Sequence, residues 1–179
     1  MSQQIIGDNM NDLRICPQCS SKSRTDYTRF FIKKFINELN LDNTVIDLGC
    51  GKARNMYYLN KLGFKNITAL DINKFKEVDL NKFIFIQTDL NNGIPLTIKY
   101  NIIMCNFLLM FIDDKKKLIN EITRISYKNS FCIVELNKKH LANGIKYNFK
   151  EIVKLFLVDW DIVNLRLKEN KFIAKKRSI

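Results

Sequence analysis

The chain has 179 residues, 46% of them hydrophobic and 11% aromatic, which suits one domain with a sizeable core and excludes a disordered chain. No stretch approaches the roughly 20 apolar residues of a membrane helix. The N-terminal MSQQIIGDNMND lacks the basic start and apolar centre of a signal peptide, so a cytoplasmic protein with no membrane partner is expected.

The net charge of +12 fits an anionic partner such as RNA. It fits an A/T-rich genome equally well, because Lys, Asn, Ile and Phe dominate and Lys far outnumbers Arg. Residues 1–22 are polar and weakly patterned, and read as a flexible arm before a single domain over 23–179. The five cysteines are Cys16, Cys19, Cys50, Cys105 and Cys132. An odd count without a secretory signal argues against a disulfide framework. Cys16-Pro17-Gln18-Cys19 is a lone CxxC far from the single histidine, His140, so no metal is expected within one chain. Two chains pooling these cysteines could complete a zinc site.

From Thr25, the residues Tyr27, Phe30, Phe31, Phe35 and Leu39 recur at helical spacing with a polar reverse face. Thr25 or Asp26 can cap this helix. Thr44–Leu48 reads as a buried strand and Ala53–Leu62 as a helix stopped by Gly63. Ile67–Leu70 is a second strand ending at Asp71, and Asn73–Lys82 offers one helical turn at most. Phe83–Gln87 is a third strand ending at Thr88-Asp89, followed by the loop Asn91-Asn92-Gly93 with Pro95. Tyr100–Cys105 is a fourth strand. Asp113 is the expected cap of a helix reaching about Lys128, with Leu118, Ile119, Ile122 and Ile125 on one face. Phe131–Glu135 is a fifth strand, Asn137–Tyr147 a polar loop, and Asn148 the cap of a helix to about Leu157. Trp160–Leu167 and Phe172–Lys176 alternate apolar and polar residues around Glu169-Asn170, the pattern of a hairpin. The order predicts an α/β fold: a doubly wound, mostly parallel, seven-stranded sheet with a C-terminal antiparallel hairpin that supplies an antiparallel edge strand.

In such sheets ligands sit at the carboxyl ends of the strands. Four of those ends carry Asp47, Asp71, Asp89 and Asn106, and Glu135-Leu136-Asn137 follows the fifth. Carboxylates there need donors, which a ribose and an adenine amino group supply. Asp71 lies 20 residues after Gly51, the offset of a ribose-binding acid. Gly49 and Gly51 supply the first two glycines of a GxGxxG fingerprint, but Arg54 stands where the third would allow pyrophosphate approach. Asp47 would repel a pyrophosphate and suits a ligand that is cationic nearby, such as S-adenosylmethionine. The two glycines could also merely turn the chain, and Asp71 and Asp89 could be turn formers.

These blocks resemble the successive motifs of class I S-adenosylmethionine-dependent methyltransferases: VIDLGCG, ALDI, QTDL and YNIIMCNF, over roughly residues 25–137. GCGKARNMYYLNKLG with YNIIMCNFLLMFI is more narrowly similar to the tellurite-resistance-type branch. The resemblance implies the Rossmann-like methyltransferase fold, with S-adenosyl-L-methionine as cofactor. By position, Asp47, Gly49, Cys50 and Gly51 would shape the loop beside its methionine part, and Asp71 would accept from the ribose hydroxyls. Ile72 and Leu90 would pack on the adenine, Asp89 would receive its amino group, and Asn106 or the Cys105 carbonyl would meet the ammonium. The short crossover after Asp71 departs from the family, and implies a less covered sheet face or a more open adenine pocket.

Methyl transfer needs a general base only when the acceptor must lose a proton. His140 is the near-neutral candidate, with an exposed loop histidine as the bland reading. Tyr27 is a candidate for closing the pocket. The chain lacks the [DNS]PP[YFW] tetrapeptide and the Pro-Cys nucleophile of DNA methyltransferases. A small-molecule acceptor is expected first, RNA or protein second, and a non-catalytic cofactor-binding or partner-binding relative third.

Overall fold

The computed structural model describes residues 26–74, 78–79, 81–136 and 147–178. The expected arm with Cys16 and Cys19, and the candidate base His140, lie outside them. Helix α1 spans Asp26–Phe35 and tightens into a 3₁₀ turn, Ile36–Glu38. Then come β1 (Val45–Leu48), α2 (Arg54–Lys61), β2 (Ile67–Asp71), β3 (Ile84–Gln87) and β4 (Tyr100–Asn106). A 3₁₀ turn, Leu109–Phe111, leads to α3 (Lys115–Arg124), β5 (Ser126–Glu135), α4 (Phe149–Phe156), β6 (Trp160–Arg166) and β7 (Lys171–Lys176).

Among the described residues seven strands form one sheet in the order β3-β2-β1-β4-β5-β7-β6. The first five pair in parallel, and β7 runs antiparallel to both β5 and β6. The expected doubly wound sheet with a terminal hairpin is therefore present. One detail differs: the antiparallel strand, β7, lies inside the sheet, and β6 is the edge. The buried run Phe172–Ala174 suits a strand with neighbours on both sides, whereas β6 is only partly buried past Trp160. Strand order reverses between β1 and β4, so a crevice opens at their carboxyl ends.

Side chains alternate between two cores, one per sheet face. Val45, Ile102, Met104, Phe131 and Ile133 meet α1 and α2. Ile46, Leu48, Ile103, Cys105, Cys132 and Val134 meet α3 and α4. On the first face Phe31 packs edge-on against Phe131, with ring centroids 5.3 Å apart. On the second, Phe156 packs edge-on against Trp160 and Phe172, and the Trp160 indole N–H donates to Thr123 Oγ1 at 2.9 Å.

Two boundaries differ from the sequence reading. Helix α3 stops at Arg124 because buried Ser126 already pairs with Tyr100 in the sheet and donates its hydroxyl to Ile122 O. The β4–β5 register then moves from Tyr100↔Ser126 to Ile102↔Phe131, and the exposed residues Tyr127, Lys128 and Asn129 form a bulge, with Asn129 left-handed at φ 62°. The cap of α3 is Asp114, whose carboxylate accepts from Lys117 N at 2.9 Å. Asp113 sits one residue early, its own N–H held by Asn91 Oδ1. Between β2 and β3 no helix occurs among the described residues, and β3 is a half-exposed edge strand. Asp114→Ala should therefore lower stability by about 1 kcal/mol in urea unfolding, and Asp113→Ala should leave it unchanged.

Candidate cofactor and active site

The segment after β1 turns because three of its residues are left-handed: Gly49 (φ 70°), Gly51 (φ 51°) and Ala53 (φ 59°). Two backbone donors, Gly49 N–H and Cys50 N–H, converge on the Leu70 carbonyl at 2.8 and 3.0 Å. This pins the loop across the end of β2. Ala53 is the N-cap of α2, so the helix begins one residue later than its apolar pattern indicates. A Cβ on Gly49 would lie 3.1 Å from Leu108 Cδ1, while one on Gly51 would meet nothing within 4 Å. Gly49 is thus a packing glycine, and Gly51 keeps open space clear.

Asp71, the last residue of β2, holds this loop with its side chain. Its Oδ2 accepts from Gly51 N at 2.8 Å and its Oδ1 from Asn73 N at 2.9 Å. It is a turn former as well as a candidate ligand, and each oxygen keeps acceptor capacity. Asp89, after β3, closes a turn by accepting from Asn91 N at 2.9 Å. Leu90 is buried, and Ile72 is 56% exposed.

These residues line two lobes that share Gly49, Gly51 and Phe107. One lobe, about 460 Å³, is walled by Asp71, Ile72, Asp89, Leu90, Leu108 and Phe111. The other, about 350 Å³, is walled by Cys50, Lys52, Arg54, Asn55 and Asn106. The first combines acids with apolar walls, as a ribose and a flat base need. The second is polar. Among the described residues no cluster of three or more His, Cys, Asp or Glu side chains could hold a metal ion.

Near the ends of β1 and β4, buried polar atoms have no partner among the described residues. Asp47 is 2% exposed and Asn106 8%, yet Asp47 Oδ2 and both polar atoms of the Asn106 side chain lack any hydrogen bond among the described residues. Buried polar atoms are normally paired, so these are the atoms a bound group would satisfy. Burial, and then the Asp71 charge, push the Asp47 carboxyl up from 3.8 to about 8.

The other candidates fall as follows. Burial pushes the Cys50 and Cys105 thiols up, so neither is a thiolate nucleophile. Cys105 turns its side chain into the second core, leaving only its backbone on the cleft side. Tyr27 is buried away from both lobes. Its hydroxyl donates to Asn164 Oδ1 at 3.1 Å, its ring stacks on Phe30, and burial keeps its proton on. Sequence reasoning gave no ligand role to Phe107, which lines both lobes with a left-handed backbone at φ 60°, its N–H bonded to Glu135 O at 2.6 Å. Nothing in its residue type signals that conformation.

The raised Asp47 carboxyl has a sign that can be tested. Folded chains keep that proton while unfolded chains lose it, so the group erodes stability as pH rises from about 4 to about 8. Asp47→Asn should raise the Tm at pH 8 by roughly 5 °C, with the gain vanishing toward pH 4. Thermal denaturation across that range measures it.

A sequence profile of the methyltransferase domain matches residues 39–170. No curated protein matches the chain. Solved structures share the fold at low identity. The N-methyltransferase NodS from Bradyrhizobium japonicum WM9, in complex with S-adenosyl-l-homocysteine, superposes with TM-score 0.71 at 8% identity, covering 99% of each chain. A 1,6-didemethyltoxoflavin-N1-methyltransferase from Burkholderia thailandensis gives 0.69 at 12%, covering 98% of this chain and 87% of that one. A TehB-like SAM-dependent methyltransferase from Corynebacterium glutamicum gives 0.69 at 11%, covering 98% and 97%. Some longer neighbours also match, and the chain spans only 47% and 53% of two of them. With the profile over most of its length and this sheet around this cleft, the chain belongs to the methyltransferase-domain family and has the fold of the class I S-adenosylmethionine-dependent enzymes.

Proposed function

We propose that the cleft binds S-adenosyl-L-methionine and that the chain transfers its methyl group to a small-molecule acceptor. The observation that carries this reading is the Asn106 side chain, unpaired among the described residues in the wall of the second lobe, with the buried Asp47 Oδ2 likewise unpaired on the neighbouring strand. A methionine part has both an ammonium and a carboxylate. Asp47, which a neighbouring ammonium would draw into its ionised form, and Asn106 Oδ1 suit the ammonium, and Asn106 Nδ2 suits the carboxylate. Asp71 has acceptor capacity left for ribose hydroxyls, Asp89 for an adenine amino group, and Ile72 and Leu90 supply apolar faces. The open space at Gly51 leaves room for the ligand to pass between lobes.

When bound, the cofactor supplies a methyl group already activated by its sulfonium, so positioning accounts for much of the catalysis. The chain's part is to hold that ligand between the Gly49–Gly51 segment and Phe107, and to keep water out with Leu108, Phe111 and Ile112. Two of the structural neighbours are named as N-methyltransferases, which supports nitrogen as the receiving atom. Tyr27, tied to Asn164 and outside both lobes, serves as core packing rather than base.

Calorimetric titration tests the reading. S-Adenosylmethionine and its demethylated product should bind with micromolar affinity, and NAD should not bind. Asp71→Ala should weaken binding roughly 100-fold while the fold persists. Gly51→Ala should cost about 1 kcal/mol of stability from its left-handed backbone. It should also weaken binding at least ~10-fold by filling the passage. Wild-type-like affinity in both variants would overturn the site. Acceptors are then sought by radiolabel transfer to small molecules and to RNA in parallel.

A further inference from the structure

We infer that Glu135 is the acceptor-binding carboxylate of this enzyme: its buried Oε2, unpaired among the described residues, takes the N–H or O–H of the methyl acceptor and receives that proton during transfer. This rests on the reading of the cleft given above. Glu135 ends β5 and is the register partner of Asn106, which ends β4. Along the strand order β2-β1-β4-β5, Asp71, Asn106 and Glu135 end their strands at the carboxyl edge, while Asp47 lies two residues deeper, level with Ala69 and Met104. Asp71, Asp47 and Asn106 are accounted for by the cofactor. Glu135 lies one strand beyond Asn106, on the side away from Asp71, behind the Asn106 wall of the smaller lobe rather than in either lining.

Alternation puts three of these side chains on one face. Val45, Met104 and Ile133 enter the first core, so Asp47, Asn106 and Glu135, each two residues further on, share that face. Glu135 is 3% exposed. Its Oε1 is paired with Lys171 Nζ at 2.7 Å, but its Oε2 has no partner among the described residues. A purely structural buried ion pair is satisfied on both oxygens, because an unpaired one costs as much as a lost hydrogen bond. Here Lys171 fixes the carboxylate by one oxygen and leaves the other buried without a partner among the described residues. The neighbouring Asn106 lines the smaller lobe and has no partner to hold its amide, so a swing of that amide gives the acceptor access to Oε2.

The chemistry suits a protic acceptor. In the step, the acceptor's lone pair forms the bond to the methyl carbon, the sulfur keeps the pair of the broken S–C bond, and the acceptor's proton passes to Oε2. The surroundings support proton uptake. Burial raises the Glu135 carboxyl first, Lys171 on β7 opposes it, and Asp26 on α1 and Glu169 before β7 raise it further. Tyr27 on α1 faces the same group and feels its charge. The acceptor class is thus an amine, a ring N–H compound or a hydroxyl compound, and not a thioether or an oxyanion.

The test uses the full chain, radiolabelled S-adenosylmethionine, and a panel of primary amines, azoles, phenols, thioethers and selenite. Glu135→Gln keeps the side-chain shape and removes the base. Glu135→Asp keeps the charge beside Lys171 and withdraws the oxygen, which separates chemistry from folding. The expected result is transfer to an N–H or O–H acceptor. kcat should fall at least ~100-fold in Glu135→Gln, with the acidic limb of the pH profile abolished and cofactor affinity unchanged by calorimetry. In the presence of S-adenosylhomocysteine, the accepted amine or phenol should bind the wild type and not Glu135→Gln. Full turnover by both variants, transfer confined to thioethers or selenite, or no transfer to any panel member despite cofactor binding would each overturn the proposal. Failure of the wild type to bind the cofactor would instead overturn the cleft reading on which it rests.

Discussion

One carbonyl oxygen organises the site. Leu70 O takes two backbone donors from the segment that follows a neighbouring strand, and both can reach it only because Gly49 turns left-handed between β1 and α2. The bonds tie the end of β1 to the end of β2, and the Asp71 side chain repeats the tie one residue later through Gly51. With the segment so held, the crevice at the β1/β4 reversal has a rigid lip. Cys50 and the start of α2 bound one lobe, and Asp71 and Ile72 bound the other. Loosening this clamp would unmake both lobes together, since Gly49 and Gly51 belong to each.

Against that rigid lip the buried polar atoms are costly. Burying Asp47 and Asn106 without partners opposes folding, by about 1–3 kcal/mol per orphaned group. The two aromatic cores offset this, with Phe31 and Phe35 on Phe131 beneath α1, and Phe156 and Trp160 around Phe172 beneath α4. Stability and function are therefore spatially separated: apolar packing fills the middle of each strand, and unsatisfied polarity collects at the carboxyl ends.

That separation explains what could be read from residues alone. Asp47, Asp71 and Asn106 were legible because each ends a short apolar run, and glycines mark the turn after the first. Asp89 and Asn148 announced local turns and caps that do form. Asp113 and Asp114 were indistinguishable as caps, because adjacent acids carry the same signal and only the backbone at Asp114 selects one. The start of β5 was hidden because Ser126–Lys128 reads as the last turn of the helix before it. Phe107 and Ala53 adopt left-handed backbones that their residue types do not advertise. The Glu135–Lys171 pair was invisible because its partners come from different strands, joined only when β7 docks beside β5.

The placement of β7 also has a consequence for how the chain is made. It is the last strand in sequence, yet it lies between β5 and β6. While the protein is being synthesised, β6 has no partner in the growing sheet, and β5 presents an unpaired flank. The sheet can be completed only after residue 176 has cleared the ribosome, and the Glu135 carboxylate has no counter-charge before then. Nascent chains would carry the glycine clamp and the two lobes first, and acquire the Glu135–Lys171 pair in one late docking event.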